Sequence, residues 1–324
     1  MKPYLIGLFL LILCASSLAM GTLPPVSQET GIPTLVYVRD FGFPGSGGGQ
    51  FYFPQDVYIS VIGDISTGLG NLFVADTGNN RIERLDEDGT FAYQFGRFGA
   101  DTGLFNTPTG IAVDFNFYIY AVDQGNNRIE KFDIRGNFIK SWGSFGRETG
   151  QFIDPRGIAL DGFGNIYVAD SGNDRIQKFD GEGNFLMSIG GFGKGYGFFD
   201  GPLDVSVDKD KKIYVADTNN NMIQVLDEYG KPILSFGQTG NKNDDFFKPA
   251  GIAVDNNYIY VADTGNNRIE IFSKRGTFLS SYGQKGSQSG DLNGPVGVAA
   301  GKTGEIYVAD TNNHRVQKFK IVYK

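Results

Sequence analysis

The 324-residue chain holds a single cysteine, Cys14, a single histidine, His314, and a single tryptophan, Trp142. Such counts exclude Cys/His zinc sites, which need several of these ligands together, and leave no pair of thiols for a disulfide. Basic residues are also in deficit, 29 against 36 acidic ones for a net charge of −7, which disfavours nucleic acid and anionic membrane surfaces as partners. Only one long apolar run is present, at residues 4–13. Lys2 precedes it and the small residues 14–19 follow, the layout of a secretory signal with Ser17 and Ala19 at the last positions before a cut. The alternative is an uncleaved anchor, for which the run is short; Leu13 ahead of Cys14 argues against a lipoprotein. Removal of residues 1–19 would leave 28 basic and 36 acidic residues, a net of −8, and no cysteine. An exported protein of that kind depends on its core for stability. The expectation is an extracellular or cell-surface location, with no membrane contact beyond the signal segment.

What the chain has in abundance is repetition. The segment NIYVADSGNDRIQKFDGEGNFLMSIG, residues 165–190, reads as three short strands joined by tight turns, and variants of it begin at Asn71, Tyr118, Lys212, Tyr258 and Glu305. The aligned aspartates Asp76, Asp123, Asp170, Asp217, Asp263 and Asp310 are spaced 47, 47, 47, 46 and 47 residues apart, a period that calls for a repeat architecture. Each unit has an earlier strand opening at a proline (Pro54, Pro108, Pro155, Pro202, Pro249, Pro295), where the missing N–H is tolerated. The last unit stops short of its final strand. Residues 34–42, TLVYVRDFG, alternate like that strand, with Tyr37, Phe41 and Gly42 aligned on Phe91, Phe95 and Gly96. Four strands per unit, six units and a ring closed by the N-terminal strand describe an all-β, six-bladed β-propeller. The expected organisation is a signal at 1–19, a flexible lead at 20–33 rich in Pro, Gly and Ser, and the propeller at 34–324.

The repeated VAD-T-G-N-N-R-I with its following hairpin resembles the NHL repeat family over nearly the whole span from residue 34. That resemblance implies the propeller fold; for activity it implies little, because propellers of this family host several.

Within the repeat, Gly78, Gly125, Gly172, Asn219, Gly265 and Asn312 share one position, which predicts a positive φ there. The asparagine that follows in every copy, Asn79 to Asn313, is expected to bond its own turn backbone. Arginine comes two positions later, except at Met222 in blade 4. Residues present in every blade are expected to stabilise blades. In the loop entering each unit, Phe51, Phe105, Phe152, Phe199, Phe246 or Leu292 stands three residues before the proline and is expected to fill the gap between blades. A phosphate-cradling reading of these glycine-rich loops fails, since they lead into strands and lack the Lys-Ser/Thr of a P-loop. Blade 1 carries extra residues around 63–70, expected to form a surface loop.

Function is sought where the repeat breaks. Two positions after the proline the series is Asp56, Gly110, Gly157, Asp204, Gly251, Gly297; one position earlier it is Gln55, Thr109, Arg156, Leu203, Ala250, Val296. Blades 1 and 4 are opposite in a ring of six, so Gln55, Asp56, Arg156 and Asp204 are the candidate ligand-binding set at the channel mouth. Asp56 and Asp204 are also the candidate metal pair, with Ca²⁺ the cation suited to their oxygens. The competing account is that these aspartates satisfy backbone N–H groups. On the loop-rich face Tyr196, Phe198 and Phe247 are aromatics beyond the structural series and mark a candidate interaction face. The favoured reading is a monomeric, exported binding or scaffold propeller for a protein or glycan ligand. The alternative is a calcium-dependent hydrolase or lyase at the channel; the lyases that the resemblance implies depend on channel histidines, which His314 alone does not supply.

Overall fold

Each repeat folds into the sheet its alternation dictates. The computed structural model describes residues 31–60 and 70–324, which form six four-stranded antiparallel sheets. In blade 3 the strands are Pro155–Leu160, Ile166–Asp170, Arg175–Phe179 and Phe185–Gly190, in chain order. The second strand, IYVAD, is buried along its whole length. Its side chains alternate between faces, so Ile166 and Val168 pack with Ala112 and Tyr120 of blade 2, while Tyr167 and Ala169 pack with Val205 and Ile213 of blade 4. A strand sandwiched between two neighbours must be apolar on both faces. That is why each copy of this strand is apolar on both faces and not alternately polar.

The innermost strands are Asp56–Ser60, Pro108–Val113, Pro155–Leu160, Asp204–Val207, Gly251–Val254 and Pro295–Ala300. They touch one another in that order and the last touches the first, so the sheets form a ring of six blades around a central channel. The proline opens the strand in blades 2, 3 and 6; in blades 1, 4 and 5 the strand starts two residues later.

Ring closure follows the expected route. The N-terminal strand Pro33–Phe41 pairs antiparallel with Arg315–Tyr323, from Pro33↔Tyr323 to Phe41↔Val316, and is the outer strand of the last blade. It begins one residue ahead of the expected Thr34, and Ile32 and Lys324 exchange two further backbone hydrogen bonds of 2.9 and 3.1 Å. The expected signal at 1–19 and most of the lead lie outside the described residues, as do residues 63–69 of the blade 1 insertion. Among the described residues no helix is long and apolar enough to cross a membrane.

The loop phenylalanines pack as expected. Phe51 is fully buried between Val57 and Leu72 of blade 1 and Tyr307, Ala309 and Val316 of blade 6.

Two expectations about the turn need correction. The left-handed residue is not at the Gly78 position but two later: Asn80, Asn127, Asp174, Asn221, Asn267 and His314 have φ between 53° and 58°. Glycine is required at Gly78 for close approach, because its N–H donates to the Tyr52 carbonyl at 2.7 Å and a Cβ would stand 2.4 Å from that oxygen. Where this position is Asn219 or Asn312, the facing loop carries Gly201 or Gly294. The invariant asparagine does not bond its own turn either. Asn79 Nδ2 donates to Asp76 and to the Gly45 carbonyl, each at 2.8 Å, tying the turn to the loop that enters the blade.

Candidate functional site

The proline loops and the turns after the second strands lie on one face, as these contacts between them require. The Asp–Asn–Arg array on this face is internal. Arg81 donates through Nε to Asp76 at 2.7 Å, and through its terminal nitrogens to the carbonyls of Ser46, Gly47 and Gln50 at 2.7–2.9 Å. Arg128, Arg175, Arg268 and Arg315 repeat the bond to their own aspartates. With its donors directed mainly at the protein, this array stitches loops to blades. Blades are joined in the same manner: Thr77, Thr218, Thr264 and Thr311 each donate to the carbonyl of the next blade's proline at 2.6–2.7 Å.

The only histidine is part of this scaffold. His314 Nδ1 accepts the Phe53 N–H at 3.0 Å, and its ring stacks on Tyr52 with centroids 5.1 Å apart. Asn80, Asn127, Asp174, Asn221 and Asn267 do the same with a side-chain oxygen for the loop of the following blade. A left-handed residue with a short acceptor is what the turn selects.

Gln55, Asp56, Arg156 and Asp204, predicted as a cluster, all line one cavity of about 370 Å³ at the loop-face end of the channel. Arg156 reaches across from blade 3 to donate to Gln55 Oε1 of blade 1 at 3.3 Å, and its other terminal nitrogen lies 3.3 Å from Asp154. Asp56 and Asp204 do not sit at the mouth. They also line a second cavity of about 230 Å³ that opens below, so they mark the waist of the channel. The strand runs along the axis, and each step inward from Gln55 carries the chain about 3.3 Å deeper.

Both aspartates accept backbone N–H bonds, as the structural account anticipated. Asp56 takes those of Val57 at 2.8 Å and of Ile111 in blade 2 at 2.9 Å; Asp204 takes those of Val205 and of Ile252 in blade 5, both at 2.8 Å. They therefore pin blade 1 to blade 2 and blade 4 to blade 5. Burial pushes the Asp56 carboxyl up to about 7 against these two hydrogen bonds, and it also holds Asp204 well above the usual carboxylate range, with the charge of Asp56 adding to the effect. The glycines elsewhere in the ring make room for them: a Cβ on Gly157 would fall 2.1 Å from Asp204 Oδ1. As a calcium site the pair is short of ligands. Two carboxylates supply at most four of the six to eight oxygens that calcium takes, and among the described residues no three of His, Cys, Asp and Glu converge.

Tyr196 and Phe198 stand exposed on the loop entering blade 4, and Phe247 on the loop entering blade 5. Sequence reasoning missed their companions Phe98, Phe145 and Phe192, which are 70–75% exposed on the loops entering blades 2, 3 and 4. The signal was there: each follows its strand-ending glycine by two residues, at the position of Pro44, Thr239 and Lys285 in the remaining loops. Also missed was Lys248, at the rim of the upper cavity, whose Nζ donates to Asn219 Oδ1 at 2.6 Å.

Comparison with known proteins agrees with this architecture. The NHL repeat model matches residues 152–179, 199–226, 246–272 and 292–319. The Drosophila melanogaster protein "brain tumor" is 32% identical over 98 residues, 30% of this chain and 9% of that protein, so the match touches about a tenth of the relative's length. A streptogramin B lyase structure superposes with a TM-score of 0.58 at 17% identity, over 90% of this chain and 98% of that one. A nidogen/laminin complex does so with 0.54 at 21%, over 71% and 82%. At such identities the two structures speak for the fold alone. Repeat matches, blade topology and ring closure together make this chain a member of the NHL repeat family, a six-bladed β-propeller whose N-terminal strand completes the last blade.

Proposed function

We propose that this propeller is a binding or scaffold module that recognises a protein or a surface glycan through its loop-rich face, as an exported monomer. The observation that carries the reading is the row of exposed aromatics on consecutive loops: Phe98, Phe145, Phe192, Tyr196, Phe198 and Phe247. Large apolar groups left in water on a rigid scaffold are the usual mark of a recognition surface, and aromatic rings suit both protein hot spots and sugar faces. Repeat propellers also serve in protein assemblies, as the nidogen/laminin complex shows for its own members. Export rests on the signal-like residues 1–19. The competing reading, a calcium-dependent hydrolase or lyase at the channel, has only the lyase likeness in fold and two carboxylates to draw on.

The test is cross-linking capture from an extracellular extract, followed by binding measurements with the captured partner. Replacing Tyr196 and Phe198 by serine should weaken binding by about tenfold or more, as loss of interface aromatics does. Replacing Asp86 and Arg275, on the opposite face, should leave binding unchanged. The reverse ranking would move the site to the hairpin face and overturn the reading.

A further inference from the structure

The six residues that follow the prolines form one ring around the upper cavity, and they divide it in two. Gln55, Thr109 and Arg156, from blades 1 to 3, are polar; Leu203, Ala250 and Val296, from blades 4 to 6, are apolar. The turn positions of Asp76 and Asn79 carry the same residue in all six copies, whereas here no two blades share a residue. A ring that only closed the channel would have no need of such a division.

Arg156 is the second observation. Its side chain is mostly buried, yet its two side-chain contacts are both long, at 3.3 Å, and among the described residues its buried Nε has no hydrogen-bond partner. A guanidinium carries five N–H donors in a planar fork, so this one has donors to spare where it lines the cavity. Buried donors are nearly always satisfied, and an exception calls for an explanation. The five scaffold arginines of the turns, by contrast, direct their donors at carboxylates and carbonyls of the protein. Lys248 at the same rim adds a second positive charge. Asp154 offsets one of the two, and its other oxygen is engaged by Gln124. Below, Asp56 and Asp204 turn their oxygens to backbone N–H groups of their own and the neighbouring blades.

We propose that this upper cavity is a binding site for a small organic carboxylate with an apolar body. The carboxylate pairs with the Arg156 fork beside Gln55, and the body lies against Leu203, Ala250 and Val296. A cavity of about 370 Å³ is at the small end of the range for ligand pockets, which admits a compact guest and excludes a polymer chain. Planar, bidentate capture of a carboxylate is the geometry that arginine serves better than lysine. The site is separate from the exposed aromatic rim and does not depend on what that rim binds.

Calorimetric titration of the native protein at pH 7.5 with hexanoate, hexanamide, hexylammonium and acetate tests this directly. Hexanoate should bind at one site. Hexanamide lacks the charge and acetate lacks the body, so both should bind about tenfold more weakly or worse. Arg156→Gln should weaken hexanoate about tenfold and leave hexanamide unaffected, while Leu203→Asn should weaken both. The proposal is overturned if hexanamide matches hexanoate, if hexylammonium binds tightest and so reports the waist aspartates, or if hexanoate gives no saturable binding at millimolar concentrations. Phe192→Ser controls for adsorption to the aromatic rim, and abolition of hexanoate binding by that variant would also overturn it. Should Arg156→Gln fail to fold, the ranking of the four probes on the native protein decides alone.

Discussion

Glutamate and glutamine share one buried position in this propeller: Glu83, Glu130 and Glu270 in blades 1, 2 and 5, and Gln177, Gln224 and Gln317 in blades 3, 4 and 6. The amide fits the slot without strain. Gln177 donates to Asp170 at 3.0 Å and to the Gln151 carbonyl at 2.7 Å, and accepts the Gly150 N–H at 2.9 Å. A glutamate there joins an aspartate around one arginine, as Glu83 and Asp76 do around Arg81, which leaves a net negative charge in the interior. Burial pushes Glu83 and Glu130 up to about 7 and Glu270 to about 8, against the pull of their arginines. Since these folded-state values lie above the unfolded value of 4.5, the folded protein binds more protons between about pH 4.5 and 8, and stability falls as pH rises through that window. Glutamine at all three positions should therefore raise the melting temperature at pH 8, by about 2–4 °C for each kcal/mol relieved, and should change it little at pH 5. Thermal melts at the two pH values check this; a lower melting temperature at pH 8 would mean that the ionised glutamates stabilise the blades through their arginines.

At the scale of the element, blade 4 departs from its siblings. Met222 takes the place of the arginine that elsewhere binds the loop carbonyls, so Asp217 keeps only amide and backbone partners: Asn220, Gln224 and the Asp200 N–H. The loop thus left without its arginine clamp is the one that presents Phe192, Tyr196 and Phe198. Blade 3 shows what the clamp does, as Arg175 donates to Asp170 and to the carbonyls of Glu148 and Gln151. Met222→Arg should restore it, with Phe198 O and the Gly195 carbonyl as acceptors at the same offsets. Charge-assisted bonds of this kind contribute about 1.5–3 kcal/mol. The expected outcome is a melting temperature several degrees higher and slower protease cleavage within residues 191–198. Unchanged cleavage would show that this loop is held by its own contacts. The turns themselves were only partly legible in the sequence. Their glycines and asparagines announced tight geometry, but which residue takes positive φ depended on where the facing loop's carbonyl lay.

For the molecule as a whole, the ring is closed by one strand from the other end of the chain. Pro33–Phe41 does more than cover an edge. Leu35 is buried with Ile269 and Ile271 of blade 5 and with Phe319 of blade 6, Ser280 of blade 5 donates to the Pro33 carbonyl at 2.5 Å, and Arg39 reaches the Asp88 carbonyl of blade 1 at 3.0 Å. Leu35→Ala should cost about 2–5 kcal/mol, as other buried leucine truncations do. Deletion of residues 31–42 should uncover the edge of Arg315–Tyr323 and cause association, since an unpaired edge is a template for strand addition. Calorimetry and light scattering give the readouts. A deletion variant that melts as the full chain does and stays monomeric would show that closure contributes nothing to stability.

The sequence by itself determined the blades. A 47-residue period, apolar second strands and the missing final strand specify six four-stranded units and the strand that completes them. All of that information is local or is repeated six times. The sequence also placed Gln55, Asp56, Arg156 and Asp204 at the channel, and the tertiary structure alone decided their depth and their contacts there. Gln55 and Arg156 are 101 positions apart and belong to no repeated motif, and they meet because ring closure brings their blades to one axis. The waist position of Asp56 and Asp204, their bonds into the next blade and the spare donors of Arg156 depend on that closure too. Repetition fixes how each blade packs on its neighbour; the contents of the centre follow from six different residues brought within reach of one another.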